Sequence, residues 1–133
     1  PLQGFSSPEG VPLPVPLPVL HQFTGAYVAE NSFGVHDKEI LNAVRYHTSG
    51  RADMSLLEQL IFLADMVEDK REYEGAENLR ALYYAEKGGL DFIMYEALRE
   101  TLYFLEAKGG AIYPLTSEAY KYFGKKIAEE ESL

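Results

Sequence analysis

Two side chains in this sequence invite chemistry because of what surrounds them. His47 follows Ile40, Ala43 and Val44 by seven, four and three residues, so at 3.6 residues per turn its imidazole shares a face with packing residues. Asp65 follows Leu57 and Ile61 by eight and four residues, which sets a carboxylate on an apolar stripe. An ionised carboxylate in such a setting needs a cation, hydrogen-bond donors or a metal to offset its desolvation. An imidazole and a carboxylate on adjacent antiparallel helices can form a buried His–Asp hydrogen bond or ligate a shared ion, and spacing alone leaves both open. Histidine nitrogen with carboxylate oxygen suits iron, manganese or zinc. Ions of that kind activate water at neutral pH and clamp phosphoryl oxygens. The literal His36-Asp37 pair does not join this constellation. His36 and His47 are eleven residues apart on one helix, so their Cα atoms stand about 16 Å apart, too far for one metal.

The elements that must position these groups are helical. The segment 1–18 carries six of the seven prolines, which blocks helix formation and predicts an extended, polyproline-like stretch; a linker is the simpler reading, a ligand for a proline-recognising groove the sharper one. A helical domain then occupies 19–133. Its first helix runs from Val19 to Phe33, with His21, Gly25, Val28 and Ala29 on one face and Gly34 at its C-terminal end. Asp37 is a natural N-cap for a second helix reaching about His47, and Thr48-Ser49-Gly50 breaks it. Ser55 and Glu58 form a capping box that starts a third helix. The spacing predicts further helices over 76–87 and 90–108, and a last one capped by Thr116 or Ser117. The tyrosine-rich face, Tyr83, Tyr84, Tyr95, Tyr103, Tyr120 and Tyr122, reads as core and rim packing. No strand alternation and no internal repeat interrupts this pattern. The fold class is all-α.

Composition narrows the function. The 133 residues suffice for one domain with a real core. A formal net charge of −9 speaks against a nucleic-acid partner, which would call for a basic face. The sequence has no cysteine, which removes disulfides, zinc ribbons and thiol nucleophiles. No apolar run approaches the ~20 residues of a membrane span, and no leader pattern precedes the helices, so a cytoplasmic protein is expected. The start at Pro1 suggests a fragment or a processed product.

The blocks RYHTSGR (45–51) and MSLLEQLIFLAD (54–65), within the longer string from Leu20 to Arg80, resemble the C-terminal two thirds of the YqeK family of HD-superfamily phosphohydrolases. The likeness runs from about Pro18 to Phe123. It implies an HD-domain-like bundle of about six helices, incomplete at the N-terminus, and a reaction splitting diadenosine tetraphosphate symmetrically into two ADP. It further implies a binuclear metal centre, with iron expected first and manganese or zinc as substitutes. On this likeness His21, His47 and Asp65 are the metal ligands, and Asp65 and His47 the catalytic pair. Thr48, Arg71, Ile112, Tyr113 and Thr116 fall on nucleotide- or phosphate-contacting positions. The chain departs from the family in three places. Gln22 stands where a small residue is usual, Tyr113 stands where a histidine is usual, and the N-terminal histidine and His-Asp pair have no counterpart. The missing helices predict exposed apolar surface, hence a homo-oligomer or a separate N-terminal half as partner. A degenerate, non-catalytic HD-like module acting through protein contacts is the alternative.

Overall fold

The computed structural model describes residues 10–68, 75–85 and 88–132. Among them lie six helices and no strand: α1 (Leu17–Phe33), α2 (Lys38–Arg45), α3 (Leu56–Val67), α4 (Ala76–Ala85), α5 (Gly89–Ala107) and α6 (Pro114–Glu131). Consecutive helices pack on one another up to α3, and α3, α4, α5 and α6 then close around a common core.

Local chemistry sets most of the boundaries. Asp37 caps α2 by accepting from the N–H groups of Glu39 and Ile40, satisfying amides that have no partner within the helix. Ser55 and Glu58 form the reciprocal capping box of α3. Gly34 ends α1 in a left-handed conformation, φ 69°, and Val35 N–H closes the end by bonding to Ala29 O at 3.0 Å, the pairing that finishes a helix when glycine relieves the Cβ clash. The last helix begins earlier than Thr116 or Ser117. Tyr113 is its N-cap and Pro114 its first residue, because the missing proline N–H needs no partner there and the ring presets φ.

The main core joins Phe62, Leu63 and Val67 of α3, Leu79 of α4, Ile93, Met94, Ala97 and Leu98 of α5, and Ala119 and Phe123 of α6. Three helix faces differ from their sequence expectation. On α2 the buried residues are Leu41 and Ala43, Ile40 is 46% exposed, and His47 lies in the turn beyond the helix end at Arg45 rather than on a helix face with Ile40. On α1 the buried residues are Gln22, Phe23 and Ala26, one position past the face through His21, Gly25 and Val28, and His21 is exposed. On α3 the buried residues are Glu58, Gln59, Phe62, Leu63 and Val67. The stripe through Leu57 and Ile61 is not the buried one, for Ile61 is 41% exposed. The physical reason is that Phe62, Leu63 and Val67 together offer more apolar surface to α4 and α5 than the neighbouring row, and burial follows area. Asp65 consequently sits half-buried at the edge of the core face rather than within it.

A smaller cluster holds the start of the chain. Phe23, Tyr113 and Leu115 pack with Val11, Val15, Val19 and Tyr46, and the Tyr113 hydroxyl donates to Pro12 O at 2.7 Å. Residues 11–15 of the proline-rich stretch therefore lie on the body of the domain, and α1 starts at Leu17, inside that stretch.

Candidate metal and phosphate site

The turn after α2 is the structural centre of the site. Gly50 adopts φ 69°, a conformation that favours glycine, and its N–H returns to Tyr46 O at 2.9 Å. Arg51 next to it binds Glu58 through two parallel contacts, Nε to Oε1 at 2.7 Å and Nη2 to Oε2 at 2.9 Å, and lays its guanidinium 4.3 Å from the centre of the Tyr46 ring. Burial alone would raise the Glu58 carboxyl. The hydrogen bonds from Arg51 and from Ser55 outweigh that and hold it below the ordinary carboxylate value. The Arg51 guanidinium is raised in turn by its bond to Glu58. Arg51 and Glu58 thereby fix the exit of the turn to the first turn of α3.

Within that frame two imidazoles meet. His21 Nε2 lies 3.2 Å from His47 Nε2, with ring centres 5.0 Å apart and planes at 74°. His47 Nδ1 is 2.6 Å from Val44 O. A carbonyl only accepts, so Nδ1 carries the proton and the lone pair of the neutral ring is on Nε2, facing His21. Thr48 Oγ1 is also 3.2 Å from His21 Nε2. The pair opens into a cleft of about 490 Å³ lined by His21, His47, Thr48, Asp65, Tyr113 and Thr116 along with the apolar side chains of Val19, Phe62, Met66, Phe104 and Leu105. Pro16 and Pro18 form part of its wall.

The expected site residues thus divide. His21, His47, Thr48, Asp65, Tyr113 and Thr116 share one cleft. Thr116 has committed its hydroxyl, donating to Ser49 O at 2.8 Å, and Tyr113 has committed its own to Pro12. Ile112 is exposed and lies outside the residues that line the cleft. Arg71 lies outside the described residues. His36 is exposed at the head of α2 and takes no part.

The donor set is compatible with a cation. With metal–nitrogen bonds of about 2.0–2.1 Å, two nitrogens 3.2 Å apart subtend about 100° at one ion, between octahedral and tetrahedral values. The Nδ1–H bond of His47 to a backbone carbonyl is the second-sphere support that ligating histidines usually have. Among the described residues, however, no group of three or more His, Asp or Glu side chains stands close enough to hold an ion. The two imidazoles therefore fit part of a shell. No helix among the described residues is long and apolar enough to cross a membrane.

Sequence reasoning missed Gln22. It is fully buried, accepts the N–H groups of Thr48 and Ser49 on its Oε1, each at 3.0 Å, and donates from Nε2 to Ser49 Oγ at 2.8 Å. The available signal was the turn itself, because two consecutive amides in a break between helices require an acceptor.

The six helices form an HD-domain-like helical fold. A solved structure described as a predicted HD superfamily hydrolase involved in NAD metabolism, from Clostridium acetobutylicum, superposes with TM-score 0.72 at 35% identity, over 80% of this chain and 55% of that one. Within that class the chain is related to proteins named symmetrical bis(5'-nucleosyl)-tetraphosphatase, the YqeK-type enzymes. It is 40% identical over 102 residues to the one from Halalkalibacterium halodurans, covering 77% of this chain and 53% of the relative. The Bacillus subtilis protein of the same name is 36% identical over 102 residues, again 77% of this chain and 53% of the relative. The chain spans about half the length of these curated relatives. No family model matches it.

Proposed function

We propose that this chain is the histidine-bearing helical part of a metal-dependent phosphohydrolase acting on dinucleoside polyphosphates, with diadenosine tetraphosphate split into two ADP as its reaction. The observation that carries the reading is the convergence of the His21 and His47 Nε2 atoms, 3.2 Å apart, in a cleft they share with Asp65. The relatives named as symmetrical tetraphosphatases support the substrate class.

In this reading His21, His47 and Asp65 hold the metal, iron first by the likeness, with manganese and zinc also suited to this donor set. When bound, the metal supplies Lewis acidity toward phosphoryl oxygens and a water made nucleophilic at neutral pH. The chain's own residues do the remaining work. The Val44 carbonyl fixes the tautomer and the ring direction of His47. Thr48 places a hydroxyl beside His21, within reach of a phosphate oxygen entering the cleft. Arg71 is assigned the neutralisation of charge on the transferred phosphoryl group, a task suited to a guanidinium fork. Tyr113 and the prolines form the wall on which the nucleotide rests. A cytoplasmic location accords with a nucleotide substrate.

Purified chain incubated with diadenosine tetraphosphate and Mn²⁺ or Fe²⁺ should release ADP, and the His47→Ala variant should release none. Absence of ADP from the parent chain under both metals rejects hydrolysis by this chain alone. Two observations favour the second reading, a non-catalytic helical module. The described residues offer no three-ligand group, while Ile40, Leu56, Leu60 and Ile61 are exposed on α2 and α3. A second copy or a separate N-terminal half would cover those side chains. Size-exclusion chromatography should accordingly show concentration-dependent association; a monomer at every concentration rejects the self-association.

A further inference from the structure

Gln22 lies next to His21 on α1, and the two amides it binds belong to Thr48 and Ser49, immediately after His47. Its side chain ties α1 to this turn through three contacts: Thr48 N–H and Ser49 N–H to Oε1, each at 3.0 Å, and Nε2–H to Ser49 Oγ at 2.8 Å. The Ser49 hydroxyl donates to Gly50 O at 2.9 Å, and Ser49 O accepts from the Thr116 hydroxyl at 2.8 Å. A continuous chain of hydrogen bonds thus runs from α1 through the turn to α6, and every member is satisfied. Such networks hold one geometry when complete and lose it when one member is removed.

We infer that Gln22 is the positioning residue of the histidine pair, the carboxamide that sets the distance between His21 on α1 and His47 on the turn. The inference rests on the reading of that pair as part of a metal site. Without the carboxamide, the buried Ser49 amide and the part-buried Thr48 amide lack an acceptor, and the turn moves off α1 to reach water. The two imidazoles, each one residue away from a clamped atom, then separate.

The experiment has a metal-free arm and a metal arm. In the metal-free arm, NMR of parent protein should show cross-ring Overhauser contacts between the ring protons of His21 and His47. Gln22→Met, close in volume and without the carboxamide, should lose those contacts and the exchange protection of the Thr48 and Ser49 amides while its remaining spectrum stays folded. Retained ring contacts in a folded Gln22→Met variant overturn the inference. Should Gln22→Met fail to fold, Gln22→Glu and Gln22→Asn decide instead. Glutamate keeps both amide acceptances and should keep the contacts, whereas the shorter asparagine should lose them; the same result in both overturns the inference. In the metal arm, calorimetric titration with Zn²⁺ should show Gln22→Met binding about 10- to 100-fold more weakly than the parent, the loss typical of removed second-sphere partners, with a weaker Co²⁺ visible spectrum. Equal affinity overturns the positioning role. A parent that binds neither ion rejects the metal reading, and the ring contacts then still decide the role of Gln22.

Discussion

Replacing Glu58 by alanine tests how firmly the site's frame is held. The substitution removes two contacts to Arg51 at 2.7 and 2.9 Å and the bond Glu58 accepts from Ser55 N–H at 3.1 Å. Loss of half a capping box destabilises by about 1 kcal/mol. Breaking a fully buried pair destabilises by about 3–5 kcal/mol, but the Arg51 side chain is 31% exposed, and the orphaned guanidinium can turn to water, so the pair contributes less than that range, about 1–2 kcal/mol. The sum is about 2–3 kcal/mol. For a domain of this size that lowers Tm by about 10 °C, read by far-UV circular dichroism at pH 7. Acid should erase the difference. Glu58 is held below its ordinary value, so its contribution is complete above the unfolded carboxylate value of ~4.3 and disappears as pH falls through the lower folded value. Parent and variant curves should converge there. A shift under about 3 °C at pH 7, or a gap that persists at pH 2, refutes the assignment of Arg51–Glu58 as the lock on the turn.

Three further outcomes follow from the same contacts. Asp65→Asn should lower Zn²⁺ affinity and ADP release by at least about 10-fold with little change in Tm; unchanged affinity in a titration removes Asp65 from the site. Gly50→Ala should destabilise by about 1–2 kcal/mol in urea unfolding, because φ of 69° strains any Cβ, even though the added methyl meets its neighbours at an ordinary 3.5 Å. A neutral result argues for a relaxed turn. Tyr113→Phe should cost about 1 kcal/mol by loss of the 2.7 Å bond to Pro12 O and speed proteolysis near residues 11–15. The bond should persist into alkali, since burial first, then the nearby Tyr46 and Glu118, raises the Tyr113 phenol; unchanged proteolysis rates detach the segment from Tyr113.

What the sequence made legible was local. Asp37, Ser55 with Glu58, and Gly34 announce helix ends because capping depends on a few adjacent residues, and all three stand where spacing put them. His47 and Asp65 were singled out by helix spacing, and His21 joined them only through the family likeness, since residues 26 positions apart share no local signal; all three line one cleft. The faces of α1 and α3 were harder to read. Both helices carry apolar residues on more than one side, and the buried side is chosen by what α4 and α5 present, which a 3.6-residue period cannot encode. The start of α6 was misjudged because threonine and serine were weighed as caps while Pro114, at the first helical position, had already decided it. Gln22 stayed hidden for a different reason. A polar residue beside an exposed histidine resembles surface, and only the turn's paired amides, brought from 26 and 27 residues away, explain its burial.

The most direct measurement is an anomalous diffraction map from crystals grown with Mn²⁺ or Fe²⁺. The account predicts a peak about 2.0–2.3 Å from both the His21 and His47 Nε2 atoms, with Asp65 turned toward it. Ordered side chains with the two nitrogens still in hydrogen-bond contact and no peak between them, at metal concentrations that saturate other sites, would contradict it.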